Sequence, residues 1–305
     1  MNNIDYQYNT PPSFESKLIQ SIMGLFGIKK RMEKKMITNS FAKEPVKPPK
    51  SLLRNNNIEI NELDGRKVWT ISQNANETDV AILYLHGGAY MGNIRKQHWD
   101  LIEQLISKTN STIVVPDYPL APESNCKETY IFIDVLYSKL ITEYPAKRII
   151  LMGDSAGGGL AFGFVQQLRN EKKMQPNQII IFSPWLDVSM NNPDIELIDK
   201  EDKILSIRGL RTAGQKYAGN FDLKDYRVSP IYGELAGLCR ISIFTGTKDI
   251  LNADAKVCKQ LMKDQQINFN YFEYPKMFHD WVIITSLKES QNVISKVNNL
   301  VNEYE

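Results

Sequence analysis

Cysteine is scarce in this 305-residue chain: Cys126, Cys239 and Cys258 are the only three. They show no C-x-x-C spacing and cannot all pair, which argues against a disulfide framework and a cysteine-rich zinc site. Inert thiols in a reducing compartment are the expectation. Histidine is as scarce, with three residues. Any chemistry that needs an imidazole therefore has few candidates. A surplus of one charge is also lacking. The net charge is +2, without the basic footprint expected of a nucleic-acid partner. No run of 18 apolar residues occurs, so no membrane-spanning helix is expected. The polar opening, MNNIDYQYNTPPSFESK, lacks a basic region followed by an apolar core. A secretory signal is therefore not expected, and a cytoplasmic protein is the default. What is present is ordinary for a globular protein: 42% hydrophobic and 24% charged residues, with length for a large core in one or two domains.

The centre of the chain alternates β-rich runs with helical patterns. The runs at 80–85 (VAILYL), 112–115 (TIVV), 148–152 (RIILM), 178–182 (QIIIF) and 241–245 (ISIFT) are nearly continuous in apolar residues. A sheet buried on both faces requires such strands. Segments long enough for crossover helices lie between them, at 98–108, 128–143, 157–169 and 253–265. This alternation predicts an α/β fold, a mostly parallel sheet with helices on both faces. Earlier runs at 58–60 and 67–71 flank Asp64-Gly65 and predict an antiparallel hairpin at the sheet's edge.

Two regions break the alternation. Residues 1–50 carry an apolar-basic stretch at 18–36, then a proline-rich connector at 44–50. Residues 186–225 are polar, compatible with helix, and longer than an ordinary connection. Long insertions here commonly form lids over an active site. Together the two regions are read as one small helical cap, leaving 51–185 and 226–305 as the core. For 21–35 (SIMGLFGIKKRMEKK) a basic amphipathic helix on a membrane surface is the second reading, ranked below a cap helix.

The sharpest local signal is Gly153-Asp154-Ser155-Ala156-Gly157-Gly158. It contains G-x-S-x-G, directly follows a predicted strand and directly precedes a helix. That is the setting of a nucleophile elbow. A serine there sits on a strained turn, and flanking glycines let strand and helix approach. The helix N-terminus points N–H groups at the site, where they stabilise negative charge. The plainer reading is a glycine-rich helix start that only packs tightly. A second signal, His86-Gly87-Gly88-Ala89-Tyr90, follows the first long strand run. It fits a loop of the HGGG type, whose backbone N–H groups form an oxyanion hole. Each preorganised donor of this kind is worth about 2.7–4 kcal/mol to acyl transfer. Alanine at the third glycine position keeps the N–H but restricts the backbone.

Together these motifs resemble those of the hormone-sensitive-lipase-type esterases of the α/β-hydrolase fold. HGGAY is similar to that family's HGGG loop, and GDSAGG matches its serine elbow. DYPLAPE at 117–123 resembles its YRLAPE segment, with Pro119 where arginine is usual. SPWLD at 183–187 resembles the segment leading into its cap. The likeness runs from about Ile58 to the C-terminus. It implies an α/β-hydrolase fold with a helical cap. It also implies a carboxylesterase acting on short to medium acyl chains, without metal or cofactor. The family, too, builds its cap partly from the N-terminus.

A triad in this fold runs in the order Ser, then Asp or Glu, then His. His86 belongs to the glycine loop and His98 precedes the serine, so His279 is the only base available after it. It lies past the β-like run 268–274, at the strand end where ligand sites gather in such sheets. For the acid, the resemblance points to Asp249, in Gly246-Thr247-Lys248-Asp249-Ile250-Leu251. Asp254 is the competitor, about a turn into the next helix, where an acid simply favours the helix dipole. Asp154 is read as structural, because it cannot face the same way as Ser155.

The expected chemistry is two-step acyl transfer on a small-molecule ester, with Ser155 as nucleophile, His279 as base and Asp249 orienting it. Candidate oxyanion donors are the N–H groups of Gly87, Gly88, Ala89 and Ala156. Family matching favours the last three. An amidase, arylformamidase or deacetylase on the same scaffold is the nearest alternative. A binding protein that kept the fold and lost the chemistry is the more distant one, because no triad member is missing. Oligomeric state stays open, a homodimer included.

Overall fold

The computed structural model describes residues 3–73 and 78–303. The apolar runs become strands of a single sheet. In chain order these are β1 (Ile4–Gln7), β2 (Asn56–Leu63), β3 (Arg66–Gln73), β4 (Ala81–Leu85), β5 (Thr112–Pro116), β6 (Ile149–Asp154), β7 (Gln178–Phe182), β8 (Arg240–Gly246) and β9 (Phe269–Tyr274). The order across the sheet is β1-β9-β8-β7-β6-β4-β5-β3-β2. Pairing is parallel from β1 to β5 along this order, and antiparallel for β3 with β5 and β2 with β3. The hairpin turn places Asp64 and Gly65 both at positive φ, +48° and +69°. Two positive values suit the right-handed twist of the strands it joins.

Helices fill the connections: α1 (Phe14–Leu25), α2 (Ile28–Thr38), α3 (Lys50–Asn55), α4 (Lys96–Thr109), α5 (Cys126–Glu143), α6 (Ser155–Asn170), α7 (Asp194–Asp199), α8 (Ile207–Ala218), α9 (Asn252–Asp264) and α10 (Lys288–Asn302). The side-chain period of two splits each central strand between two cores. In β6, Ile149 and Leu151 face the core shared with α5, α6 and α9, whereas Ile150 and Met152 face the core shared with α4 and α10. Every residue of β4 to β7 is buried, which is why those strands read as unbroken apolar runs.

One part of the sequence-based division is corrected. Residues 4–7 do not join the N-terminal helices; they extend the sheet as β1, in parallel register with β9 from Ile4↔Asn270 to Gln7↔Glu273. The run is short and polar, and its partner lies far along the chain. Alternation still explains it: Ile4 and Tyr6 are half-buried against the core, while Asp5 faces out and pairs with Lys259 and Lys263 of α9. The ends of that division, residues 1–2 and 304–305, lie outside the described residues. Farther on, α2 packs against α8 of the 186–225 insertion, with Met36 and Glu33 lying where a side chain on Gly209 would project.

Candidate active site

β6 passes directly into α6, and Ser155 stands at the junction with φ +52°. A non-glycine residue in this region carries strain of order 1–2 kcal/mol, so the neighbours must hold it there. A Cβ on Gly153 would sit 2.5 Å from the carbonyl atoms of Gly157, and one on Gly157 would collide with the Leu85 carbonyl. The glycines thus let β4, β6 and α6 close up around the serine. The result is a buried hydroxyl at the carboxyl end of the sheet, beside the first turn of α6.

The loops after β8 and β9 bring two more groups to it. Asp249 follows β8, and its Oδ1 accepts the Leu251 N–H at 2.9 Å. His279 follows β9. Its Nδ1 lies 2.9 Å from Asp249 Oδ2, and its Nε2 lies 3.0 Å from Ser155 Oγ. An ionised carboxylate only accepts, so Nδ1 carries the proton and Nε2 is left facing the serine. The structure therefore brings together Ser155, His279 and Asp249. Asp254 lies apart on α9, where Asn192 donates to it at 2.9 Å.

The HGGAY loop bends under β4. Gly88 takes φ +131°, and Ala89 and Tyr90 take +56° and +58°. Alanine is therefore accommodated, in a conformation that disfavours it. Among the described residues, no hydrogen bond uses the N–H of Gly88 or Ala89. Ala156 is in the first turn of α6, where N–H groups lack helical partners. Gly87 differs from expectation: its N–H donates to Asp154 Oδ2 at 3.0 Å and is not free for an oxyanion. The DYPLAPE segment braces this loop. Tyr118 stacks on His86 at 4.5 Å and donates to its carbonyl, and the Ala121 N–H donates to the Tyr90 carbonyl at 2.8 Å.

Asp154 has the structural role read from the sequence, and its partners show what that role is. It accepts from Tyr84 Oη at 2.6 Å, from Gly87, and from His98 Nε2 at 3.2 Å. His98 Nδ1 accepts the Arg95 N–H at 2.9 Å, so Nε2 holds the proton it gives. Burial pushes the Asp154 carboxyl up, but His98 and Tyr84 outweigh it and bring it down to about 2. One buried carboxylate thus ties the serine elbow, the HGGAY loop and the start of α4 together. No sequence signal marked His98 for this.

Asp280 is the other residue the sequence did not single out. At φ +53°, it turns Oδ2 to 3.0 Å from His279 Nε2, the same nitrogen that faces Ser155. Burial raises its carboxyl to about 6, against the pull of His279. For His279, burial opposes the imidazolium. The carboxylates of Asp249 and Asp280 override this and raise its pKa well above the ordinary histidine value.

Over these groups lies a cavity of about 250 Å³. Its floor includes Gly88, Ala89, Ser155 and His279, and Arg95, His98 and Asp280 add polarity at one side. Met23, Ile28, Met32 and Met36 from α1 and α2 make its roof, with Ile204 and Leu205 from the insertion. Three aromatics beside this region, Tyr90, Trp185 and Tyr217, belong to the core. Tyr90 stacks on Tyr217 at 3.6 Å and on Trp185 at 5.5 Å, all fully buried and none facing the cavity.

The chain is similar to known esterases and lipases. The α/β hydrolase fold family is matched over residues 82–283. The chain is 32% identical over 203 residues to an esterase of Acinetobacter venetianus, covering 66% of this chain and 67% of that protein. It is 29% identical over 229 residues to a triacylglycerol lipase of Mycobacterium tuberculosis, covering 75% of this chain and 48% of that longer protein. The solved structure of a candidate esterase from Staphylococcus aureus superposes with a TM-score of 0.82 at 30% identity, covering 90% of this chain and 91% of the other. A bacterial hormone-sensitive-lipase-family esterase shares the fold, with a TM-score of 0.82 at 21% identity, covering 97% and 99%. The fold and site define an α/β hydrolase of the esterase and lipase type. The chain belongs to the α/β hydrolase family matched over residues 82–283, with esterases and lipases among its relatives.

Proposed function

We propose that this enzyme hydrolyses carboxylic esters of short to medium acyl chains through an acyl-enzyme on Ser155. The observation that carries this is the continuous hydrogen-bonded line from Ser155 Oγ through His279 to Asp249, at 3.0 and 2.9 Å. Neutral His279 takes the serine proton at Nε2 as Oγ attacks the ester carbonyl. Asp249 holds the Nδ1–H tautomer and stabilises the imidazolium that forms. The N–H groups of Gly88, Ala89 and Ala156 receive the developing oxyanion. His279 then protonates the departing alcohol, and water repeats the sequence to release the acid. The cavity limits the size of the acyl chain it can hold. Its 250 Å³ and methionine-rich roof suit a modest apolar group, below the ~300 Å³ at which drug-sized pockets begin.

Replacing Ser155 with alanine removes the nucleophile and little volume. The expected outcome is a folded protein whose kcat on p-nitrophenyl butyrate falls by a factor on the order of 10⁴ or more. Near-normal turnover by pure, folded Ser155→Ala would overturn the proposal.

A further inference from the structure

α1 is apolar on two sides. Its inner side places Ile19 against the core and Met23 over the cavity. Its outer side exposes Phe14, Leu18, Ile22 and Leu25, at 74%, 48%, 44% and 83%. Steps of four, four and three residues keep these side chains on one face, at ~100° per residue. Phe26, just past the end of α1, is also exposed, at 55%. Single exposed apolar residues are normal on a soluble protein, but a contiguous stripe marks a contact surface.

The charge beside the stripe indicates what it contacts. Lys17, Lys203, Lys248 and Lys276 converge on one surface hollow at the flank of α1. Of these, Lys248 pairs with Glu201 at 3.0 Å, and the other three have no ion pair among the described residues. On α2, the exposed Lys30, Arg31 and Lys34 are also without ion pairs among the described residues. Glu15 is the one acid within α1.

We propose that the outer face of α1, with these lysines, seats the protein on an anionic lipid surface. An apolar stripe flanked by cations is the pattern of a helix lying in a bilayer interface. Phospholipid headgroups of negative charge neutralise the lysines while the acyl boundary takes the stripe. A second copy of this chain fits less well. A two-fold interface sets the same patch against itself, and the lysines then face one another. The inner side of α1 roofs the catalytic cavity, so docking holds that roof at the lipid boundary. Cap helix and surface helix are then the two sides of one element. The proposal does not rest on the catalytic reading, because binding is measured without turnover.

The test is flotation of the full chain with phosphatidylcholine vesicles, with and without phosphatidylglycerol, at low and high salt. The expected result is at least roughly tenfold more protein on the anionic vesicles, reversed in part by salt. Leu18→Glu/Leu25→Glu should lose binding while keeping its melting temperature and its turnover of p-nitrophenyl butyrate, since neither residue lines the cavity. Lys17→Glu/Lys276→Glu should lose the preference for phosphatidylglycerol. Wild-type protein that stays unbound, or binds both vesicles equally, overturns the proposal. So does a leucine variant that floats like the wild type. A dimer that the leucine variant dissociates, with no vesicle binding, assigns the face to a second copy instead.

Discussion

His279 is held between two carboxylates on opposite nitrogens, Asp249 at 2.9 Å and Asp280 at 3.0 Å. A general base works only when neutral, so both pairs bear on the pH range of activity. Because the carboxylates raise the His279 pKa, kcat/KM should rise with pH through a limb above the ordinary histidine value of ~6.5. Asp280→Asn removes one of the two charges and leaves the shape. That change should move the limb toward lower pH by about one unit. A pH profile of kcat/KM on p-nitrophenyl butyrate reads this directly, and superimposable profiles would remove Asp280 from the account. The residues differ in how plainly the sequence announced them. Ser155 lay in a local motif, and His279 followed from the scarcity of histidine. The identity of the acid was carried by resemblance. Asp280 and His98 were not legible as partners. Each acts through a backbone turn or a contact that no local pattern encodes, as with His98 and Asp154, 56 residues apart.

At the scale of elements, burial on both faces made the central strands readable. β4 to β8 all fall within two residues of the apolar runs that predicted them. β1 escaped because it is four residues long and half polar, and its pairing is set by β9 from the other end of the chain. The roof of the cavity was readable only as two regions that broke a pattern. Its chemistry appears once α1 and α2 are seen to place methionines above Ser155. Methionine is adaptable, so under the proposed function this roof would limit chain length by volume rather than by shape. Met32→Trp should fill part of the cavity. The ratio of kcat/KM for p-nitrophenyl hexanoate to that for the acetate should then fall roughly tenfold. A ratio that stays constant would place the acyl chain elsewhere.

Over the whole molecule, one sheet carries two cores and delivers its loops to one edge. The loops after β4, β6, β8 and β9 supply the glycine loop, the serine, the aspartate and the histidine in turn. Parallel strands that end together make this convergence possible, and the exchange of order around β4 opens space for it. Asp154 then locks the HGGAY loop and α4 to the serine elbow, so the site is assembled before substrate arrives. No helix among the described residues is long and apolar enough to cross a membrane. The proposed chemistry converges on the reactivity of one hydroxyl. Incubation with a fluorophosphonate, followed by peptide mapping by mass spectrometry, measures it. The expected result is a single adduct on Ser155, absent in Ser155→Ala and formed far more slowly in His279→Ala. An inhibited enzyme whose adduct lies elsewhere, or ester turnover with Ser155 left unmodified, would contradict it.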